Sequence, residues 1–229
     1  MYKDKVRFER KFIISNISKN NIEFIIKSNS ALFSEAYCLR RVNNIYLDQP
    51  NLNSFFDNID GNSNRSKVRI RWYGDTIGRI EKPILEIKLK NNLVGSKKRY
   101  DLKPFNLDKN YSLKSQKDNF LQSNLDKLIL EHLSTFNLSL MNSYKRKYFI
   151  SKDKNFRITV DFSMKYYKLN QLQNRFNTSF SDKNNIIVEL KYPYNLDSIA
   201  DKITNEFPYR ITKSSKYVMG IFFLNNVNY

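Results

Sequence analysis

The stretch KVRIRWYG, residues 67–74, alternates without a break. Lys67, Arg69, Arg71 and Tyr73 fall on one side, Val68, Ile70 and Trp72 on the other. Successive side chains of a strand point to opposite faces, so this is a half-buried β-strand with one apolar face and one row of cations. The same pattern recurs. RFERKF sets Arg7, Glu9 and Lys11 against Phe8 and Phe12, and LEIKLK sets Glu86, Lys88 and Lys90 against Leu85, Ile87 and Leu89. FRITVDF sets Arg157, Thr159 and Asp161 against Phe156, Ile158, Val160 and Phe162, and VELK sets Glu189 and Lys191 against Val188 and Leu190. SYKRKYF differs: Tyr144, Arg146 and Tyr148 alternate with Lys145 and Lys147, so both faces carry charge. For any single strand, an open sheet with one solvated face accounts for the pattern.

Eight strands are expected, at residues 7–14, 42–48, 67–74, 84–90, 97–102, 143–151, 156–164 and 186–192. Helices are expected at 19–27, 117–136 and 196–205, with one more starting at Ser215. The second helix carries Phe120, Leu121, Leu125, Leu128, Leu130 and Leu133 at near-helical spacing, a stripe that needs a sheet to cover. Many strands with a few interspersed helices make an antiparallel-rich α+β fold. Only five Gly and five Pro occur and no low-complexity linker divides the chain, so residues 1–229 read as one domain.

Lys and Arg number 40 against 22 Asp and Glu, a net charge of +18. Such an excess fits a polyanionic partner (nucleic acid, an anionic membrane or a phosphate chain) or serves solubility alone. Three details favour phosphate. The charged rows include Arg69, Arg71 and Arg157, whose planar forks suit phosphate oxygens. They are punctuated by isolated carboxylates, Glu9, Glu86, Asp161 and Glu189, which an anion would avoid unless they held a divalent metal. The strand count also suits a barrel of about eight strands, wide enough to hold side chains and a ligand. Lys67, Arg69, Arg71, Glu86, Lys88, Arg157 and Glu189 are accordingly expected to converge on one enclosed polar cavity. In KSSKY, Ser215 is placed to cap a helix whose free N–H groups, beside Lys213 and Lys216, would form an anion site. An ordinary surface cap with solvated lysines is the alternative.

Other chemistries find little support. The single Cys38 excludes an intrachain disulfide and a Cys-based zinc cluster. The single His132, in EHL, reads as a helix-packing residue, leaving no Ser-His-Asp triad unless it lies in the site. Phe8, Trp72 and Phe162 fall on apolar faces, whereas a nucleic-acid groove stacks bases on aromatics along an open face. No apolar run approaches the ~18 residues of a membrane span, and MYKDKVRFERK lacks the apolar stretch of a signal peptide. A cytoplasmic protein is expected.

The series FERKF, NNIYLD, KVRIRWYG, LEIKLK, YKRKYF, RITVD, VELKY and KSSKY, in that order, resembles the VTC domain. That is the polyphosphate polymerase domain of the vacuolar transporter chaperone complex and its bacterial relatives, within the triphosphate tunnel metalloenzymes. Each motif alone is weak; eight in order, from about Arg7 to Gly220, are more specific. The resemblance implies an antiparallel eight-stranded β-tunnel with helices packed outside, binding ATP, inorganic triphosphate or polyphosphate. It implies phosphate ligands at Lys11, Arg69, Arg71, Lys88, Arg146, Arg157, Lys213, Ser215 and Lys216. Lys97 or Lys98 would join them, the register not choosing between the two, and Tyr144 would lie beside the phosphates. Arg69, Arg71, Lys88, Arg146, Arg157 and Glu189 would carry catalysis. Glu189 would hold Mn²⁺ or Mg²⁺, with Glu9 a second ligand. The implied reaction is polyphosphate synthesis from the terminal phosphate of ATP. A triphosphatase and a non-catalytic polyphosphate- or nucleic-acid-binding module are the rivals. No nucleic-acid partner is expected, and export of a product would need a separate membrane partner. The superfamily often shows two glutamates before the first-strand lysine; here Arg10 follows Glu9, so metal ligation is leaner.

Overall fold

Each alternating run forms a strand in the computed structural model, which describes residues 7–91, 94–177 and 179–225. Arg7 and Lys90 lie in strands, but their side chains are outside the described set. In chain order the elements begin with β1 (Arg7–Ser15), α1 (Lys19–Lys27), β2 (Ser34–Asp48), α2 (Asn53–Ile59), β3 (Arg65–Tyr73) and β4 (Gly78–Ile80). There follow β5 (Ile84–Asn91), β6 (Val94–Asp101), β7 (Phe105–Leu107), α3 (Leu113–Gln122), α4 (Lys127–Ser134) and β8 (Asn137–Ile150). The chain ends with β9 (Arg157–Lys168), β10 (Ser179–Asp182), β11 (Asn185–Pro193), α5 (Asp197–Asn205) and α6 (Lys216–Asn225). The fold is α+β, built on a large antiparallel sheet.

The chain divides into two units, with β2, β8, β9 and β10 each contributing residues to both. The first comprises Met1–Arg40, Tyr144–Met164 and Asp182–Ser214. Its strands pair in the order β1-β11-β9-β8. The apolar faces read from the sequence meet in one core: Phe12, Ile14, Phe156, Ile158, Val160, Val188 and Leu190 pack with Ile22 and Ile26 of α1 and Ala200 and Ile203 of α5. The second unit comprises Arg41–Ser143, Lys165–Ser181 and Ser215–Tyr229. Its run is β8-β2-β3-β5-β6. Val68, Ile70, Trp72, Leu85 and Ile87 pack there with Phe120 and Leu133 of the helices.

Three expectations needed adjustment. The helix expected at 117–136 is two helices. Ser123 ends α3 in extended backbone and Asp126 starts α4, because the intervening SNLD is rich in residues that cap helices rather than continue them. Helix α2 was not anticipated: its N-cap position is Leu52, in left-handed backbone, with no side-chain cap of its own. The carboxylate of Asp48 instead accepts the N–H groups of Ser54 (2.9 Å) and Phe55 (3.1 Å), a cap supplied from outside the helix. Strands β4, β7 and β10 are the third, short pieces outside the eight expected, and β4 pairs with β7. In the first unit the outer edge of β1 is already engaged: Thr212 N–H donates to the Lys11 carbonyl (2.7 Å), and Ile13 N–H donates to Thr212 Oγ1 (3.1 Å).

Candidate functional site

The cationic row of β3 meets an acid on β5. The register pairs Arg69 with Glu86 and Lys67 with Lys88, and the next ladder pairs Glu86 with Arg99 and Lys88 with Lys97. Glu86 is therefore flanked by arginines on both neighbouring strands. Its carboxylate, only 3% exposed, takes Arg69 Nη2 at 2.6 Å and Nε at 2.7 Å, Arg71 Nη1 at 3.6 Å, Arg99 Nε at 3.3 Å and a close contact from Lys97. Cations outnumber the acid four to one, so the cluster keeps a strong positive excess. Glu86 holds the guanidinium planes in place rather than cancelling them. Burial alone would push the Glu86 carboxyl up, but Arg69, Arg71 and Lys97 outweigh it and hold it far below the usual carboxylate range.

Further polar groups extend the array. Arg71 Nε donates to Asn44 Oδ1 (3.0 Å), and Asn44 Nδ2 donates to Asn142 Oδ1 (2.8 Å). The buried Asn142 Nδ2 has no acceptor among the described residues, a donor left beside a cationic cluster. Lys67 Nζ donates to Ser215 Oγ (2.9 Å), just before the first turn of α6, where the Ser215 hydroxyl also accepts from Val218 N–H at 3.5 Å. Lys88 is exposed and Lys216 half-buried. Register decides between the two lysines that sequence left open. Lys97 shares the Glu86 face, while Lys98 pairs with Ile87 and lies on the opposite one.

Lys97 gives this cluster a pH signature. Partial burial pulls its ammonium down to about 8, with Arg69 and Arg71 adding to the fall and Glu86 opposing it. Lys97 is cationic below that value and neutral above it. Affinity of this cluster for a polyanion such as triphosphate is therefore expected to weaken as pH rises through about 8, with proton uptake on binding. Calorimetry at several pH values, in buffers of different ionisation heat, checks this; Lys97→Met should bind more weakly and lose the dependence.

The first unit holds a second, differently balanced cluster. Register pairs Lys11 with Glu189 and Glu9 with Lys191 between β1 and β11, then Glu189 with Thr159 and Lys191 with Arg157 between β11 and β9. Lys11 Nζ lies 3.6 Å from Glu189 and 3.8 Å from Glu9, and Lys191 Nζ lies 3.4 Å from Glu189. Burial would raise the Glu189 carboxyl, yet the charges of Lys191, Lys11 and Arg146 hold it well below normal. Two carboxylates that share the Lys11 ammonium, beside the buried Thr159 hydroxyl that lacks a partner among the described residues, form an oxygen-donor set. Such a set fits a divalent cation that keeps most of its waters. Among the described residues no group of three or more His, Cys, Asp or Glu gathers to make a dedicated metal cage.

Arg146 makes a two-pronged pair with Asp161, Nε to Oδ1 at 2.5 Å and Nη2 to Oδ2 at 2.7 Å, and its guanidinium sits 5.3 Å from the Tyr144 ring centre. Burial opposes the Arg146 charge, but Asp161 and Tyr144 more than restore it. Arg157 and Lys213 are exposed. Of the seven side chains expected in one cavity, Lys67, Arg69, Arg71, Glu86 and Lys88 belong to the second unit and Arg157 and Glu189 to the first. Of the four isolated acids, Glu86 and Asp161 serve as anchors for arginine; Glu9 and Glu189 remain as the oxygen pair. Arg99, Asn44 and Asn142 were missed. Alternation could have flagged Arg99, two residues beyond Lys97, but the asparagines sit in strands where nothing local marks them.

The fold has solved counterparts. An adenylate cyclase candidate from Vibrio parahaemolyticus superposes with a TM-score of 0.51 at 10% identity, covering 95% of this chain and 99% of that one. A conserved hypothetical protein from Pyrococcus furiosus gives a TM-score of 0.51 at 10% identity, covering 92% and 98%. At such identity they show a shared fold. No curated protein sequence matches. The family model of the VTC domain, however, matches residues 6–225, a span that takes in both charged clusters. That match, over nearly the whole chain, agrees with the ordered motifs: this chain belongs to the VTC domain family.

Proposed function

We propose that the protein is a metal-dependent phosphotransferase that builds polyphosphate from the terminal phosphate of ATP. The observation that carries this reading is the Glu86 cluster, where one buried acid orients Arg69, Arg71, Lys97 and Arg99 and leaves a positive excess. A phosphate chain is a thin, flexible polyanion, and a fixed array of forked donors suits it. Phosphoryl transfer asks mainly for positioning and charge stabilisation, so a chain with one Cys and one His is not at a disadvantage.

In this reading Arg69, Arg71 and Lys97 bind the chain, with Lys67, Lys88, Ser215 and Lys216 adding donors. In the first unit Lys11, Arg146, Arg157 and Lys213 supply positive charge, and Tyr144 lies against the Arg146 guanidinium. Glu9 and Glu189 would hold the divalent cation, Mn²⁺ or Mg²⁺, which supplies charge neutralisation at the transferring phosphate. Lys11 and Lys191 keep Glu189 ionised and available. No helix of the described residues is long and apolar enough to cross a membrane. The cytoplasm, where ATP is at hand, belongs to the same proposal, as does a separate membrane partner for export.

Incubation of the pure protein with ATP and Mn²⁺, followed by a gel that resolves phosphate chains, tests the reading. A ladder of lengthening chains is expected. Free phosphate without chains would make the protein a triphosphatase. No turnover with any divalent metal, together with tighter binding of single-stranded DNA than of triphosphate at equal salt, would make it a nucleic-acid binder.

A further inference from the structure

We propose that Tyr37 and Arg40 form a stacking ledge for the base of a nucleoside triphosphate. The inference rests on the phosphotransferase reading and adds what distinguishes ATP from a bare phosphate chain. Both residues belong to the stretch of β2 in the first unit, where Ser34–Arg40 is exposed almost throughout. Tyr37 is 56% exposed. It is nevertheless held in place. Its ring meets Tyr148 edge to face, centroids 5.6 Å apart, and the Arg40 guanidinium lies 5.1 Å from the Tyr37 centroid and 5.6 Å from that of Tyr148. One cation thus bridges two rings, so a large flat surface is fixed while still facing water.

The series continues inward. The Arg146 guanidinium lies 6.0 Å from the Tyr148 ring and 5.3 Å from that of Tyr144. Exposure falls along the way, through half-buried Tyr148 to Arg146 at 8% and Tyr144 at 2%. Rings and guanidinium groups therefore alternate from an exposed π surface to the buried Arg146, whose fork is held by Asp161. A nucleoside triphosphate has the same two chemistries at its two ends, a flat base and a phosphate chain. Every base has a π face, so stacking on tyrosine or guanidinium is tolerant of base identity. ATP and GTP should bind alike.

Calorimetric titration of ATP, GTP and inorganic triphosphate into the parent, Tyr37→Ala, Tyr37→Trp and Arg40→Gln proteins tests the ledge. Tyr37→Ala should weaken both nucleotides by about tenfold, in line with the loss of one stacking contact, while triphosphate affinity stays unchanged. Tyr37→Trp should keep nucleotide binding, and Arg40→Gln should repeat the nucleotide-only loss. Equal effects on nucleotide and triphosphate, or no effect on either, overturn the ledge and leave the phosphate reading standing. A parent protein that binds none of the three overturns the phosphate reading and the ledge with it.

Discussion

Glu189→Gln is expected to cut metal-dependent product formation about a hundredfold or more while triphosphate still binds, at least as tightly as before. The substitution keeps the size of the side chain and one carbonyl oxygen but removes the charge that attracts a divalent cation. A metal at a transferring phosphoryl group contributes several kcal/mol of transition-state stabilisation, hence the size of the loss. Ground-state binding should move the other way. Glu189 lies 3.6 Å from Lys11 and 3.4 Å from Lys191, so the neutral variant removes the charge that competes with an anion for both ammonium groups, Glu9 remaining 3.8 Å from Lys11. Arg69→Ala is the contrasting variant. It removes a direct donor and should weaken triphosphate binding and turnover together. Chain formation and triphosphate affinity, measured on both variants and the parent, decide the matter. Normal turnover by Glu189→Gln would remove Glu189 from any metal-binding role.

The second large effect is expected at Glu86. Glu86→Gln should cost about 3 kcal/mol of stability, the low end for removing one partner of a buried ion pair, because Arg69 and Lys97 keep some access to water. Triphosphate affinity should fall as well, although the cluster gains net positive charge. Without the carboxylate, nothing holds the forks of Arg69, Arg71 and Arg99 in register with one another. A pure net-charge account requires tighter binding, so the sign of the change separates orientation from charge. Urea unfolding measures the first effect and calorimetry the second. The pH dependence has a fixed sign. The folded-state value of Glu86 is depressed, so its contribution is complete above the ordinary glutamate range and is lost as pH falls through the lowered value. The parent should therefore lose stability in acid over a range where the Gln variant shows no corresponding loss. Tighter triphosphate binding by Glu86→Gln would discard the orienting role.

The strands were legible because their signal is local. In KVRIRWYG and VELK, the alternation that makes a face apolar is the same alternation that buries it, so Val68, Ile70, Val188 and Leu190 are all core residues. Helix α1 was legible with its ends, since Ser18 caps it with its own side chain. Helix α2 was not, because its cap comes from Asp48 and not from its own N-cap residue. The same division runs through the candidate site. Sequence order and alternation assigned Arg69, Arg71 and Lys88 to a charged face, but alternation says only which side a residue takes, never which neighbour it meets. Register across ladders had to choose Lys97 over Lys98 and bring Arg99 beside Glu86.

By itself, then, the sequence determined an α+β chain with charged sheet faces and the family it belongs to. Both follow from residue types in linear order. Tertiary structure decided what each acid does. Glu86 and Asp161 became anchors for arginine, and Glu9 and Glu189 came to share the Lys11 ammonium, because a carboxylate's role depends on the charges brought within a few ångströms. Those charges come from strands far apart in the chain: Arg69 is 17 residues from Glu86, and Lys11 reaches Glu189 only because β1 pairs with β11. No local pattern encodes such distances, since they are set by which strands hydrogen-bond and in which register.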